Sequence, residues 1–369
     1  MMKFGLKPSK DFITECPFYF RDPEQGKTQT LTHVFRTGGG LAIAALRNYK
    51  LNLQVVLRRG TGSALVLEEF FMGTFRVVRK ASVSIANFDT SYTTVFKICS
   101  ESSPFFIFYH ELHPFVEVRN LITLKVISTC GLEGVFNDLE LKSCANQFRA
   151  SIDVTYISSL GQFAIAVGGT LVLAKDSTVT RIIYDIKSHN IKDRFMNVLY
   201  DESTSRLLAM GLTTIMIFQL DCSNVYPAVT LNITSCGRVT RVLGWIPSEH
   251  MILFEKATAQ FQEIVNIIYY EDPKEPLLAT VSVKKPYTSS YCPYKKALFY
   301  IDEAAFGRKE IKILPLSDIK KAMGTDENRP EETQALEGDR FAFLPDHFGE
   351  IIKIYFYCPR GTLFVKPFR

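Results

Sequence analysis

Residues 153–175 read DVTYISSLGQFAIAVGGTLVLAK and alternate between apolar runs and short turns. Three runs rich in β-branched, aromatic and small apolar residues are separated by a polar turn around Leu160 and by the pair Gly168-Gly169. Short apolar runs bounded by turn residues are typical of antiparallel strands. The stretch therefore predicts three strands joined by two tight hairpins.

The same scheme recurs towards the C-terminus in residues 195–220, 239–268, 287–314 and 341–368. The first turns of the five units centre near Leu160, Glu202, Ser248, Tyr294 and Asp346, which lie 42, 46, 46 and 52 residues apart. A period in the forties built from short antiparallel strands is typical of β-propeller blades, whereas a sandwich or two barrels would show no fixed spacing. We therefore predict an all-β fold, a single irregular propeller over residues 1–369, with these five turns on one rim.

The first half of the chain is less regular. Residues 31–57 follow the same scheme if the turn lies at Gly38 to Gly40, and residues 75–99 and 105–126 are further candidate units. We interpret Gly131 to Arg149 as an irregular connection, which gives seven blades, with eight as the alternative. Because a propeller must join its ends to avoid an open edge, we expect Pro17 to Phe20, or the strand near Leu31, to pair within the C-terminal blade.

One polar segment interrupts the pattern. Residues 320–340 contain Pro and Gly, show no strand periodicity and carry six acidic residues between Thr325 and Arg340. We predict a flexible inter-blade loop here, and an acidic docking loop is the alternative. A solvated loop has no apolar stripe to bury, so its deletion is expected to leave the melting temperature nearly unchanged.

Composition narrows the class of protein. The net charge of +5 is mild for 369 residues, and no nucleic-acid partner is expected, because such proteins cluster basic residues on one face. Eight cysteines without a CxxC pair favour buried thiols in a reducing compartment over zinc sites or a disulfide framework. The N-terminal residues lack the apolar core of a signal peptide. We predict a cytoplasmic protein, with the nucleus as the alternative.

The sequence predicts no catalytic, cofactor or metal site. His110 to His113 read HELH, but the flanking residues are strand-like and the HExxH spacing of metalloproteases is missing, so we interpret the motif as a polar turn. The glycines of RTGGGLA precede a strand rather than a helix, and no GxSxG elbow occurs. We predict that the protein is not an enzyme and needs no cofactor.

A resemblance to a known family supports the fold. The segment VLGWIPSEHMILF, residues 242–254, resembles the inner strands of WD-repeat propellers, in which an aromatic residue, a turn containing proline and an apolar strand follow one another. No unit ends in Trp-Asp or opens with Gly-His, so the hydrogen-bond network of those family residues is not expected here. The resemblance implies the fold and leaves the function open.

A second resemblance concerns a binding site. Leu57-Arg58-Arg59-Gly60-Thr61 resembles the signature with which PROPPINs, seven-bladed propellers, bind phosphoinositides. The resemblance implies that Arg58 and Arg59 would each serve one headgroup, with Thr61 beside them, and adjacent strand residues do point in opposite directions. Thr61, Ser63, Arg76, Arg79 and Lys80 would be the nearest supporting side chains. We favour the alternative, an Arg-Arg-Gly turn that leads from one strand to the next blade.

These observations predict a non-catalytic scaffold or adaptor that binds other proteins of a multi-subunit assembly. The alternative function is phosphoinositide binding at a membrane surface through Arg58 and Arg59.

Overall fold

The computed structural model describes 29 strands and two helices, together with many of the turns between them. Side chains are described for Val55, Ala81 and residues 95–99, 103–113, 115–141, 152–185, 193–220, 227–233, 242–255, 265–271, 273–274, 276–278, 280, 291, 296–298 and 314–320. No described helix is long and apolar enough to cross a bilayer.

The strands fall into successive antiparallel sheets, and in every sheet but the last the strand order follows chain order. Sheet 1 holds β4 to β7, which are Ala42–Asn48, Leu53–Arg59, Ala64–Phe71 and Arg76–Ser84. Sheet 2 holds β8 to β11, which are Thr94–Ile98, Phe105–His110, Phe115–Asn120 and Val126–Gly131. Sheet 3 holds β12 to β15, which are Ile152–Ile157, Gln162–Val167, Thr170–Lys175 and Thr178–Asp185. Sheet 4 holds β16 to β19, which are Phe195–Asp201, Arg206–Gly211, Thr214–Gln219 and Pro227–Asn232.

Three further sheets complete the series. Sheet 5 holds β20 to β23, which are Arg238–Ile246, Met251–Ala257, Glu263–Tyr269 and Leu277–Val283. Sheet 6 holds β24 to β26, which are Ser290–Cys292, Ala297–Ala304 and Arg308–Pro315. Sheet 7 holds β27 to β29, which are Arg340–Pro345, Ile351–Cys358 and Thr362–Pro367. The N-terminal strands β1 to β3 are Tyr19–Arg21, Thr28–Thr30 and His33–Arg36, and the helices are α1, Leu132–Asp138, and α2, Leu316–Gly324.

Neighbouring sheets meet through their first strands. β4 lies beside β8, β12 beside β16, β16 beside β20, β20 beside β24, β24 beside β27, and β27 beside β4. Successive antiparallel sheets whose first strands surround a common axis form a β-propeller. The predicted all-β propeller is therefore confirmed, while the number of blades stays a prediction.

The core lies between the sheets, on both faces of each middle strand. In β13, Ile165 packs with sheet 2, whereas Ala164 and Ala166 pack with sheet 4. Adjacent residues of a strand point to opposite faces, so a strand covered on both sides must be apolar throughout. The buried runs Phe163 to Val167 and Ile215 to Phe218 confirm this expectation.

The chain ends close the ring as predicted. The strand near Leu31 is β3, which pairs antiparallel with β29, so that Val34 faces Phe364 and Arg36 faces Thr362. The other candidate segment behaves differently: β1 pairs with β2 and lies beside β26 of sheet 6. The last sheet therefore receives its fourth strand from the beginning of the chain.

Several boundaries in the first half were predicted wrongly. Gly38 to Gly40 fall between β3 and β4, which belong to different sheets, and residues 75–99 span the end of sheet 1 and the start of sheet 2. The connection that begins at Gly131 contains α1. Apolar periodicity identifies a strand but not the sheet to which it belongs. Because β3 belongs to the last sheet, counting it as the first strand of the first unit moved the later assignments by one strand.

The predicted loop at 320–340 is also too long. Lys320 to Gly324 belong to α2, and Arg340 begins β27. Leu316 and Ile319 of α2 are buried among residues of sheets 5 and 6, because a helix with apolar residues three apart buries one face. Residues 325–339 lie outside the described residues.

Candidate interaction surface

The hairpins between the first and second strands of successive sheets share one backbone feature. Gly161, Ser205, His250 and Lys296 each close such a hairpin with a positive φ, of 61°, 51°, 53° and 45° respectively. These positions lie 44, 45 and 46 residues apart, a more even spacing than that of the predicted turn centres. We call the hairpins 158–161, 202–205 and 247–250, together with Lys296 immediately before β25, the hairpin rim.

Local side chains shape two of these hairpins. Asp201 Oδ2 accepts hydrogen bonds from Ser203 Oγ at 2.7 Å, from Thr204 N at 3.0 Å and from Thr204 Oγ1 at 2.6 Å. Pro247 begins a single 3₁₀ turn that ends before His250, in keeping with the fixed φ of proline. Side-chain hydrogen bonds and a proline thus stabilise the backbone of these two hairpins.

Side chains also link hairpins of neighbouring sheets. Ser158 Oγ donates to Glu202, and Ser159 Oγ lies 3.3 Å from Tyr200 Oη, so sheets 3 and 4 are joined at the rim. Glu249 receives Lys296 Nζ at 3.1 Å and also Lys320 Nζ from α2, which joins sheets 5 and 6. The bonds from Lys320 and then Lys296 hold the pKa of Glu249 below its ordinary value.

These links confirm part of the predicted common rim. They bring the turns at Leu160 and Glu202 together, and the turn at Ser248 next to Lys296. Tyr294 and Asp346 lie outside the described residues, so their place on the rim stays a prediction.

Apolar side chains are exposed at this end of the molecule. Leu160 on the rim is 48 % exposed, and Ser159, Ser203 and Ser248 around the rim are exposed as well. Leu277 and Leu278 are also exposed at the start of β23, and register places them beside Tyr269 and Ile268, at the end of sheet 5 that carries 247–250. Polar groups around apolar ones on a rigid surface are typical of sites that bind proteins.

The described first strands place a polar network at the centre of the ring. Lys97 Nζ donates to Asp153 Oδ2 at 2.5 Å and to Val198 O at 2.7 Å, and Val198 N donates to the same Asp153 oxygen at 2.6 Å. The three residues lie on β8, β12 and β16. Charges satisfied by one another and by the backbone stabilise the contact between three sheets, and these groups are engaged in structure rather than offered to a substrate.

A second polar centre was missed by sequence reasoning. The buried carboxylate of Asp193 accepts hydrogen bonds from the backbone N–H groups of Leu212, Thr213 and Thr214 at 2.8 to 2.9 Å, and from the Thr214 hydroxyl at 2.7 Å. It thereby joins the segment before β16 to the hairpin between β17 and β18. Burial raises the pKa of Asp193, but the hydrogen bonds together lower it by more than burial raises it. The pKa is therefore below its ordinary value. In the sequence, only the pair Thr213-Thr214 in a turn indicates that a carboxylate could bind there.

The HELH motif forms the turn that was predicted. His113 N donates to His110 O at 2.8 Å, and Leu112 N donates to His110 Nδ1 at 3.1 Å. Phe115 N donates to His113 Nδ1 at 3.2 Å, so both rings serve local backbone groups. Within the part of the chain whose side chains are described, no three His, Cys, Asp or Glu residues form a group that could hold a metal ion.

Arg58 and Arg59 are the last two residues of β5, and β6 follows in the same sheet. The predicted turn therefore connects strands within one sheet and does not lead to the next blade. Arg58 is in register with Val66 and Arg59 with Leu65.

The proposed supporting cations lie elsewhere in sheet 1. Arg79 and Lys80 are in register with Glu69 and Glu68, and Arg76 is in register with Phe71, at the far end of the sheet. Thr61 and Ser63 lie outside the described residues. Phosphoinositide binding through Arg58, Arg59 and Thr61 remains a prediction. The positions of Arg76, Arg79 and Lys80 along the strands give it no further support.

Comparison with known proteins shows the fold. No protein-family model and no curated protein matches the chain. The β-propeller domain of Cps50 (Swd1) from Myceliophteria thermophila is similar in structure, with a TM-score of 0.53 and 13% identity over 92% of this chain and 99% of that one. The chain is a β-propeller. A chain in the crystal structure of a mitotic checkpoint complex is also similar, with a TM-score of 0.52 and 11% identity over 100% of this propeller and 98% of that chain.

Proposed function

We propose that this propeller is a non-catalytic scaffold that binds another protein through its hairpin rim. The observation that carries the proposal is the set of side-chain links between neighbouring hairpins, Ser158 with Glu202 and Glu249 with Lys296 and Lys320. These links fix the hairpins before binding, and a partner then loses less conformational entropy on docking.

Two further observations support the proposal. Leu160 stands exposed among hydroxyl groups on the linked hairpins, so a partner can bury apolar area there while the surrounding polar groups keep hydrogen bonds. The fold is also that of a chain found in a mitotic checkpoint complex, so a propeller of this size is compatible with assembly into complexes.

The test replaces Leu160 by Asp in the full chain carrying an affinity tag. Proteins that co-purify with the wild type are quantified, and the rim proposal predicts loss of at least one of them from the Leu160→Asp variant. Ile182→Asp is the matched control, since Ile182 is exposed to the same degree on the outer strand β15. Equal recovery of every co-purifying protein from both variants would rule out the rim around Leu160 as the binding surface.

We also propose that the protein resides in the cytoplasm or the nucleus. Cys99 and Cys130 are both buried as free thiols, as suits a reducing compartment. Microscopy of a fluorescent fusion tests this placement.

A further inference from the structure

A second exposed apolar surface lies on the outer side of sheet 2. Of the eight large apolar side chains exposed among the described residues, four belong to β10, β11 and the hairpin between them: Phe115, Ile122, Val126 and Ile127. Phe115 lies apart from the other three, because it pairs with Gly131 at the end of β10 away from the hairpin, beside Ser177 of the β14–β15 hairpin. We call this end of sheet 2, with Phe115 and the acidic residues of α1, of the turn after α1 and of the adjoining β14–β15 hairpin (Glu133, Asp138, Glu140 and Asp176), the Phe115 corner.

The Phe115 corner is held rigidly by three elements. Gly131 N donates to Ser177 Oγ at 2.7 Å, and Val179 N donates to Asp138 Oδ2 at 2.7 Å. A Cβ at Gly134 would lie 2.0 Å from Ser177 O, so α1 approaches the β14–β15 hairpin more closely than any other residue type would permit. Leu132, Val135 and Phe136 anchor α1 in the core.

Phe115 is the exposed aromatic residue of this corner. It is 44 % exposed, it pairs with Gly131, and its ring lies 3.5 Å from the position of a Cβ on that glycine, next to Ser177. Asp176 precedes Ser177 in the chain, and Glu133, in the first turn of α1, is two residues after Gly131. A partly exposed aromatic ring therefore lies on the part of the surface where α1 and the β14–β15 hairpin present their acidic residues.

The charge at the corner is opposite to that of the whole protein. Glu133, Asp138, Glu140 and Asp176 are all exposed, and Lys175 is the exposed cation among residues 131–141 and 175–178. The complete chain carries +5. Nucleic acid and anionic lipid are repelled by such a surface, and a second copy docked on the same corner would place carboxylates against carboxylates.

We infer that the Phe115 corner binds a partner protein through a segment that combines Lys or Arg with an apolar side chain. The apolar residue covers the exposed ring of Phe115, and the cations lie beside Asp176, Glu133 and Asp138. Because the corner is formed in advance, an extended segment or a helix end can bind without rearranging the propeller. This surface is independent of the hairpin rim, and either can fail without the other.

The test uses random peptides displayed on phage and selected on the full-length wild-type protein. The inference predicts enriched peptides that contain several Lys or Arg residues and at least one large apolar residue. Binding of the best synthetic peptide is expected to weaken as salt rises from about 50 to about 300 mM, because screening shortens the range of the attraction.

Two variants locate the site. The first is a triple variant that combines Phe115→Ser, Asp176→Asn and Glu140→Asn. Its affinity for the synthetic peptide is expected to be lower by roughly tenfold or more. Asparagine suits the positive φ of Asp176 and Glu140, which are 47° and 57°. A second variant with only the two Asn substitutions retains Phe115 and isolates the charge effect, should the triple variant fold poorly. The matched control, Leu277→Ser with Asp318→Asn, removes an apolar and an acidic side chain that are exposed near sheets 5 and 6.

Several results would overturn the inference. They are the absence of any enriched peptide, enrichment of neutral or acidic peptides, equal binding to the wild type and the corner variants, and equal loss in the control. Self-association of the wild type that disappears in the corner variants would assign the surface to a second copy instead.

Discussion

Single residues with positive φ set the geometry of the hairpin rim. Glycine adopts this conformation without steric cost, whereas other residues lose about 1 kcal/mol or more. Of the four equivalent positions, only Gly161 is a glycine, and Ser205, His250 and Lys296 adopt the same conformation with a side chain. The rim therefore stores a small strain at three of its hairpins.

Substitutions at Gly161 and Ser205 should act in opposite directions. A Cβ at Gly161 meets nothing closer than Tyr156 Oη at 3.9 Å, so Gly161→Ala is expected to cost about 1 kcal/mol through conformation alone. Ser205→Gly should raise the free energy of unfolding by about 0.5 kcal/mol, since the relief of strain in the folded protein outweighs the added entropy of the unfolded chain. Urea unfolding measures both, and destabilisation by Ser205→Gly would contradict the argument.

Asp193 makes stability depend on pH. Asp193→Asn places an amide N–H₂ against backbone N–H donors and is expected to cost about 2 kcal/mol at pH 7. The pKa of Asp193 is lowered from its ordinary value of 3.8 in the folded state, so its contribution is present above that value and is lost as pH falls through the folded-state pKa.

The difference in free energy of unfolding between the wild type and Asp193→Asn should therefore shrink as the pH is lowered from neutral into the acid range. Urea unfolding at a series of pH values measures this difference. Asp318→Asn, at an exposed position of α2, is the control and should change little at any pH. A constant difference between wild type and Asp193→Asn down to the lowest pH would show that the carboxylate does not carry this contribution.

At the scale of elements, α2 and β27 define what residues 325–339 must connect. α2 begins at the rim end of sheet 6, where Leu316 N donates to Lys296 O at 2.7 Å. β27 begins at Arg340, which pairs with Tyr357, and its hairpin end is at Pro345. The start of β27 is thus roughly 17 Å, the length of a six-residue strand, from its hairpin end. Lys320, in the second turn of α2, still bonds Glu249 on the rim. Residues 325–339 must therefore bridge from the rim end of sheet 6 to the start of β27.

Deletion of 325–339 is therefore expected to destabilise the protein, in contrast to the expectation from sequence. The shortened chain would have to unwind α2 and expose Leu316 and Ile319, each worth about 1.5 to 3 kcal/mol when buried. A Gly/Ser linker of the same length should retain the wild-type melting temperature. Equal melting temperatures for the deletion, the linker variant and the wild type would refute this reasoning.

At the scale of the whole molecule, closure depends on the pairing of β3 with β29. Removal of residues 1–36 takes away β1, β2 and β3 and leaves the edge of β29 unpaired, and exposed edges promote aggregation. The shortened protein is expected to be insoluble or associated on size-exclusion chromatography. Removal of residues 1–16, which leaves all three strands, is the matched control. A soluble, cooperatively folding monomer without residues 1–36 would show that the ring does not need this strand.

The fold class, and the strands and hairpins from residue 152 to residue 269, could be predicted from the sequence alone, whereas several units of the first half could not. Alternation and apolar runs such as Phe163 to Val167 are properties of neighbouring residues, and they report directly whether a strand is covered on one face or both. The spacing of the hairpins at Leu160, Glu202 and Ser248 then indicated sheets stacked around an axis. Even the need for a closing strand followed from the cost of an open edge.

The contacts between residues of different sheets follow only from the three-dimensional fold. Lys97, Asp153 and Val198 come together from three sheets, and Asp193 reaches a hairpin 20 residues away, although no local pattern distinguishes these polar residues from others. The links from Ser158 to Glu202 and from Glu249 to Lys296 depend equally on how adjacent sheets are placed. Contacts between distant residues are fixed by backbone pairing and burial over the whole ring, and periodicity along the chain carries no information about them.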